Sequence, residues 1–227
     1  MPRAGAGLLA PGTAGHTLRT DMRWRQLLAW TAVLPAAATL YFFVFWRWFE
    51  FWRRRRTLTY VMLLGSFGGV GALVAVLHRW TFAGRLHPRA GMAALGWVIV
   101  VAASAVGTVA DRQIGFRVRS FTPFFEEHGR LELKTSGAYG RVRHPIYAAA
   151  IAFQLGSFLV TGYPVVAVAC VVLALGAQWF TRQEEARLVA LLDDPTQYER
   201  YREGVPALLP RIRRGSGWAG RARTPSR

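Results

Sequence analysis

Cysteine and lysine are almost absent from this chain. Cys170 is the single cysteine among 227 residues, so no internal disulfide framework can form. It lies in an apolar run, where a packing role suits it. Lys134 is the single lysine, and arginine carries the remaining basic charge. That bias fits a high-GC bacterial genome. Histidines stand at 16, 78, 87, 128 and 144, too scattered for metal-ligand spacing, so no metal is expected. There is no glycine-rich phosphate loop and no internal repeat. Residues 1–21 hold no apolar core before a cleavage site, so no signal peptide is expected, and Met22 offers an alternative start.

What is present is hydrophobic and cationic at once. Apolar residues make up 52% of the chain, with fourteen Phe and nine Trp, yet the formal net charge is +17. The two properties are segregated into blocks, the mark of a membrane protein. Leu27–Trp46, Thr57–Leu77 and Gly91–Ala110 are each long enough, at ~1.5 Å per residue, for the roughly 30 Å core of a bilayer. A fourth stretch, Ile146–Phe180, would be roughly 50 Å as one helix. Thr161, Gly162, Tyr163 and Pro164 break it. The expectation is a helical hairpin: a short arm from Ile146 to Val160, and a second from Pro164 to about Leu192.

The fold class expected is therefore all-α integral membrane, with about five transmembrane helices. An N-terminal tail, expected to be disordered, covers 1–24, a three-helix membrane region 25–110, a core 111–210 and a basic tail 211–227. The latter tail reads as disordered and lipid-contacting. Of the 29 basic residues, 22 fall on one side of this topology. The positive-inside rule makes that side cytoplasmic, here in a bacterial plasma membrane. Basic residues flanking membrane segments answer to topology and anionic head groups. The expected partners are thus membrane lipids and not nucleic acid. Nothing in the sequence bears on oligomeric state.

Polar residues gather at both ends of the hairpin. Arg143, His144, Pro145 and Tyr147 open it. Pro145 disfavours a helical His144 and suits a first helical turn. Arg141 and Arg143 beside a helix N-terminus make an anion site. Tyr139 and Tyr147 could contact an aromatic ring or a ribose. The same residues read equally as lipid-phosphate anchors and an aromatic belt. Beyond the second arm stand Arg182, Glu184 and Glu185. Arg182 and Glu185 share a helical face and can pair. Tyr198 and Tyr201 share a face of a short C-terminal amphipathic helix, either an interfacial dock or a lid.

The order of these pieces is Thr-Ser-Gly-x-Tyr, Arg-His-Pro-x-Tyr, an apolar hairpin, Glu-Glu, Tyr-x-x-Tyr and Val-Pro-x-x-x-Pro. It resembles the isoprenylcysteine carboxyl methyltransferase family, and the related membrane phospholipid methyltransferases share much of it. Thr135, Ser136, Gly137, Tyr139, Arg143, His144, Pro145, Tyr147, Glu184, Glu185, Tyr198, Tyr201, Val205, Pro206 and Pro210 carry the resemblance, over about residues 131–211. It implies an S-adenosylmethionine-dependent methyltransferase with a cytoplasm-facing cofactor pocket and a lipophilic acceptor entering from the membrane. Implied cofactor-binding positions are Tyr139, Arg143, His144, Pro145, Tyr147, Glu185, Tyr198 and Tyr201. Implied catalytic positions are Arg182, which would orient the acceptor, with Glu184 and Glu185. A carboxylate acceptor needs no base, whereas an amine would draw on one of the glutamates. Three departures stand out: Ala149 where the family usually has Gly, a longer segment, 192–197, before Tyr198, and Arg182 standing slightly closer to its glutamates than the family arginine usually does. An NADPH-dependent reductase of the sterol-reductase type, and a non-catalytic membrane protein retaining the fold, remain as alternatives.

Overall fold

The computed structural model describes residues 12–119, 122–125, 133–192 and 194–210. Among them every regular element is helical. Helix α1 (Gly12–Val33) passes through a 3-10 turn at Leu34–Ala36 into α2 (Ala37–Arg47). A helix thus already covers residues 12–24, where a structureless tail is expected. The rest of that tail and the basic tail 211–227 lie outside the described residues. Pro35 causes the 3-10 turn, since it lacks an N–H and cannot continue the α-helical ladder. The buried Gln154 donates to the Ala32 carbonyl at 2.8 Å, so a polar side chain deep in the apolar region is used where the ladder is interrupted.

Helix α3 (Phe49–Arg53) leads to α4 (Arg56–Val76), and α5 (His78–Thr81) precedes α6 (Ala90–Arg119), which kinks at Gly115. The short α7 (Thr122–Phe125) follows. The hairpin is α8 (Pro145–Thr161) and α9 (Pro164–Val189), and α10 (Pro195–Gly204) completes the series. Proline occupies the start of α8, α9 and α10, where its fixed φ suits a first turn. Asp194 caps α10 by accepting from the Thr196 N–H at 2.9 Å.

Among the described residues, four helical segments are long and apolar enough to cross a membrane: Arg23–Arg47, Arg56–Val76, Ala90–Phe116 and Pro164–Val189. The expected count of five included the first hairpin arm. That arm is a 17-residue apolar helix, Pro145–Thr161, shorter than the ~20 residues that a bilayer core asks for. Large exposed side chains on α4 and α6, such as Leu64, Val76, Val98 and Val101, suit a hydrocarbon surround.

The most extensive packing is α6 against α8, and two glycines set its distance. A Cβ on Gly96 would lie 2.8 Å from the Gly156 carbonyl oxygen, and one on Gly156 equally close to that of Gly96. The backbones touch, as small residues allow in membrane helix pairs. About two turns from Gly156 towards the helix start, Ala149 faces Gly107, where an added Cβ would stand 3.4 Å from the Ala149 methyl. The methyl that departs from the family pattern is therefore met by a residue with no side chain.

The turn between the hairpin arms is the expected one. Gly162 takes φ 72°, a left-handed helix end, and accepts from the Leu86 N–H at 2.9 Å. Arg25 and Arg85 donate to the carbonyls of Val160 and Thr161 at 2.6 and 3.1 Å, placing cations on the negative end of α8. At the opposite end of the bundle an aromatic cluster of Tyr41, Phe42, Phe45, Trp46 and Phe49 packs on Phe124 and Phe180. The candidate site sits beside that cluster.

Candidate active site

Three segments meet at the start of α8. The first is the polar loop before it, held by Gly137 and Gln113. Gly137 has φ 62°, and a Cβ there would strike the Gln113 side chain. The Gln113 carbonyl oxygen accepts from the Ala138 N–H at 3.1 Å. The loop is thus docked on the last turns of α6.

The second and third segments are the end of α9 and the strap after α10. Arg143 joins them. Its Nε donates to Glu185 Oε1 at 2.9 Å and its Nη2 to Oε2 at 3.3 Å. Its Nη1 donates to the carbonyls of Arg202, at 3.1 Å, and Val205. The Arg143 and His144 N–H groups donate to the Pro206 and Ala207 carbonyls at 2.8 and 2.9 Å. His144 Nε2 lies 2.8 Å from Glu185 Oε1. A carboxylate accepts only, so the facing ring nitrogen carries the proton. The Val-Pro motif therefore acts through its backbone, as the acceptor for the polar loop.

This arrangement changes two readings of the sequence. Glu185 pairs with Arg143 and His144, not with Arg182, three residues before it. The Arg143 guanidinium, expected as part of a free anion site, is engaged by a carboxylate and two carbonyls. Arg182 is exposed and lines a smaller cleft with Glu185, Ala186, Val189, Tyr198 and Arg202.

The main cavity has a volume of about 410 Å³. Tyr139, Arg143, His144, Pro145, Tyr147, Glu184, Tyr198 and Tyr201 all line it. Neither Glu185 nor Arg182 does; Glu185 stands behind His144. Tyr147 donates to Glu184 Oε2 at 3.0 Å, and His144 Nδ1 is 4.0 Å from the same oxygen. The His144 and Tyr147 rings stack, with centroids 5.8 Å apart. Tyr198, Tyr201 and Val205 form a buried cluster with Leu133, Val189 and Leu192, and the Tyr201 hydroxyl donates to the Tyr139 carbonyl. Burial raises both α10 phenols above the usual tyrosine value, and the nearby Glu185 charge adds to this.

The rest of the cavity is apolar. Pro35, Ala38, Phe42, Leu63, Phe67 and Leu173 bring walls from α2, α4 and α9. These residues were read in the sequence only as generic membrane segments. Their one signal is hydroxyl-bearing aromatics inside apolar spans, Tyr41 and Tyr60, both of which line the space. Lys134 in the polar loop also lines it. Among the described residues no group of three His, Cys, Asp or Glu side chains could hold a metal.

Residues 92–192 match the phospholipid methyltransferase family. The stretch runs from α6 through the polar loop to the end of the hairpin, so it contains His144, Tyr147 and both glutamates. The methyltransferase resemblance read from the motif order is borne out. The chain is also similar to methanethiol S-methyltransferase of Crocosphaera subtropica, 36% identical over 126 residues. That alignment covers 52% of this chain, and the chain spans 45% of the relative's length. No solved structure matches the chain significantly.

Proposed function

We propose that this chain is an integral-membrane methyltransferase that uses S-adenosylmethionine and acts on a lipophilic acceptor at the cytoplasmic membrane face. The observation that carries the proposal is the two-sided cavity: its head is polar and ring-rich, and its body is walled by membrane helices. The volume of about 410 Å³ lies within the usual ~300–1,000 Å³ range of cofactor sites.

The donor set suits the group. The faces of Tyr139, Tyr147, Tyr198 and Tyr201 can hold an adenine ring or a sulfonium, which aromatic faces attract. The Glu184 carboxylate adds a negative charge at the same head. When bound, S-adenosylmethionine supplies a methyl group already activated for displacement. The protein's own part is alignment and exclusion of water. Glu185 fixes the His144 ring, Arg143 holds the strap over the site, and the apolar walls seat the acceptor. The acceptor's reactive atom is open at this level: an isoprenylcysteine-type carboxylate fits the motif resemblance, and a thiol fits the relative's name.

Calorimetric titration of the detergent-purified protein tests the reading. S-adenosylmethionine should bind, and His144→Ala, which removes a contact, or Glu185→Ala, which frees the His144 ring, should weaken it by about 10-fold or more. NADPH should not bind. Unchanged affinity in both variants, each shown by circular dichroism to be folded, would remove the site assignment. Binding of NADPH alone would favour a reductase.

A further inference from the structure

We infer that the acceptor is a lipophilic thiol and that Glu184 takes its proton. This rests on the methyltransferase reading above. The two adjacent glutamates have different surroundings. Glu185 is saturated by Arg143 and His144 and stays outside the main cavity. Glu184 lines that cavity, with Oε2 accepting from the Tyr147 hydroxyl and 4.0 Å from His144 Nδ1. A carboxylate is thus fixed at the polar head, where the apolar body of the space ends.

That placement discriminates between acceptors. A carboxylate acceptor would bring a second negative charge beside Glu184 in a low-dielectric space, where like charges repel strongly. Arg182, which would have oriented it, lies in the other cleft. Of the two cations lining the cavity, Arg143 is held by Glu185 and two carbonyls, and Lys134 has an interaction of its own. A carboxylate also has no proton to lose, so a base would serve no purpose. An alkylamine arrives as an ammonium near pH 7, charged and with its electron pair blocked. A thiol is neutral near pH 7, so it suits the apolar walls and keeps electron pairs free on its sulfur, and it becomes a stronger nucleophile on losing its proton.

The step balances. The thiol sulfur forms a bond to the methyl carbon. The bond from that carbon to the donor's sulfonium breaks, and its electron pair stays on the donor sulfur. The thiol proton passes to Glu184, which returns it to water on product release. The products are a methyl thioether and a neutral donor thioether.

Decanethiol, decanoate and decylamine serve as probes of equal chain length, with the protein in nanodiscs. Without cofactor, the wild type should bind decanethiol at least about 10-fold more tightly than decanoate, a gap of the size one nearby like charge produces. Glu184→Gln keeps the shape and the acceptor for Tyr147, and should narrow that gap. With S-adenosylmethionine, decyl methyl sulfide should form, and Glu184→Gln should lower kcat about 100-fold, within the range for a lost general base. Both kcat values are read with S-adenosylmethionine saturating, as calorimetry establishes for each protein, because the Glu184 charge also faces the cofactor. Equal binding of decanoate, faster formation of methyl decanoate or of N-methyldecylamine, unchanged kcat in Glu184→Gln, or no product with cofactor bound would each overturn the inference. Failure of the wild type to bind S-adenosylmethionine would instead overturn the parent reading, and the cofactor-free binding preference would still decide whether Glu184 selects a thiol.

Discussion

Glu184 and Glu185 are consecutive on α9 and belong to different surfaces. Glu185 accepts from Arg143 at 2.9 Å and lies 2.8 Å from the His144 ring, whereas Glu184 accepts from Tyr147 at 3.0 Å and lines the main cavity. One carboxylate therefore builds the site, and the other faces its contents. The division gives the two positions separable phenotypes.

Breaking the builder should loosen the strap. In Arg143→Ala, Glu185 loses its bidentate partner, and the Arg202 and Val205 carbonyls lose their donor. Removing one member of a largely buried ion pair costs about 3–5 kcal/mol. The expected result is a lowered Tm in detergent and faster proteolysis within residues 202–210, with the membrane helices still protected. An unchanged cleavage rate there would show that Arg143 does not hold the strap.

The contact between α6 and α8 should be intolerant at one crossing and tolerant at the other. Gly156→Ala places a methyl 2.8 Å from the Gly96 carbonyl, against backbone that has no rotamer to yield. Overpacking of this kind costs about 1–3 kcal/mol. Gly107→Ala meets the Ala149 methyl at 3.4 Å and should change Tm little. Equal effects of the two would contradict the packing described.

Gly137→Ala should uncouple the polar loop from α6. Its φ of 62° disfavours a side chain, and the new methyl meets Gln113. Helical content by circular dichroism should persist while cofactor affinity falls at least about 10-fold, since a misplaced site loses oriented contacts. Gln113→Ala, which removes the acceptor for the Ala138 N–H, should give a milder version of the same loss.

Alkaline pH should release α10. Burial raises the Tyr198 and Tyr201 phenols above the tyrosine value of 10.0. The stability this contributes is complete below about pH 10, the unfolded value. It declines as the pH rises towards the folded values, because only the unfolded phenols ionise readily there. Tyr198→Phe should move the onset of strap proteolysis to higher pH. An onset identical to that of the wild type would assign the transition to other groups.

Local backbone chemistry was legible in the sequence, and convergence across the fold was not. Pro145, Gly162 and Pro164 announce the two arms of the hairpin because each restricts its own φ or that of its neighbour. The partner of Glu185 was misread because Arg182 lies three residues away, while Arg143 arrives from 42 residues earlier. Helical spacing favours the near candidate, and only the hairpin brings the far one in. The glycine contact went unread, although Gly96, Ala103 and Ala110 recur every seven residues on α6 and signal a closely approached face. The walls supplied by α2 and α4 carry no motif at all, since any apolar surface of suitable shape would serve.

The strap has a consequence for biosynthesis. The Pro206 and Ala207 carbonyls complete the polar loop that begins some seventy residues earlier. Among the described residues, every helix long enough to span the bilayer precedes those two residues in the chain. A chain truncated at residue 205 would keep all of those helices and still have an open, solvent-flooded site. Insertion and activation are thus separable, and the latter waits for a few residues that follow the last of those helices.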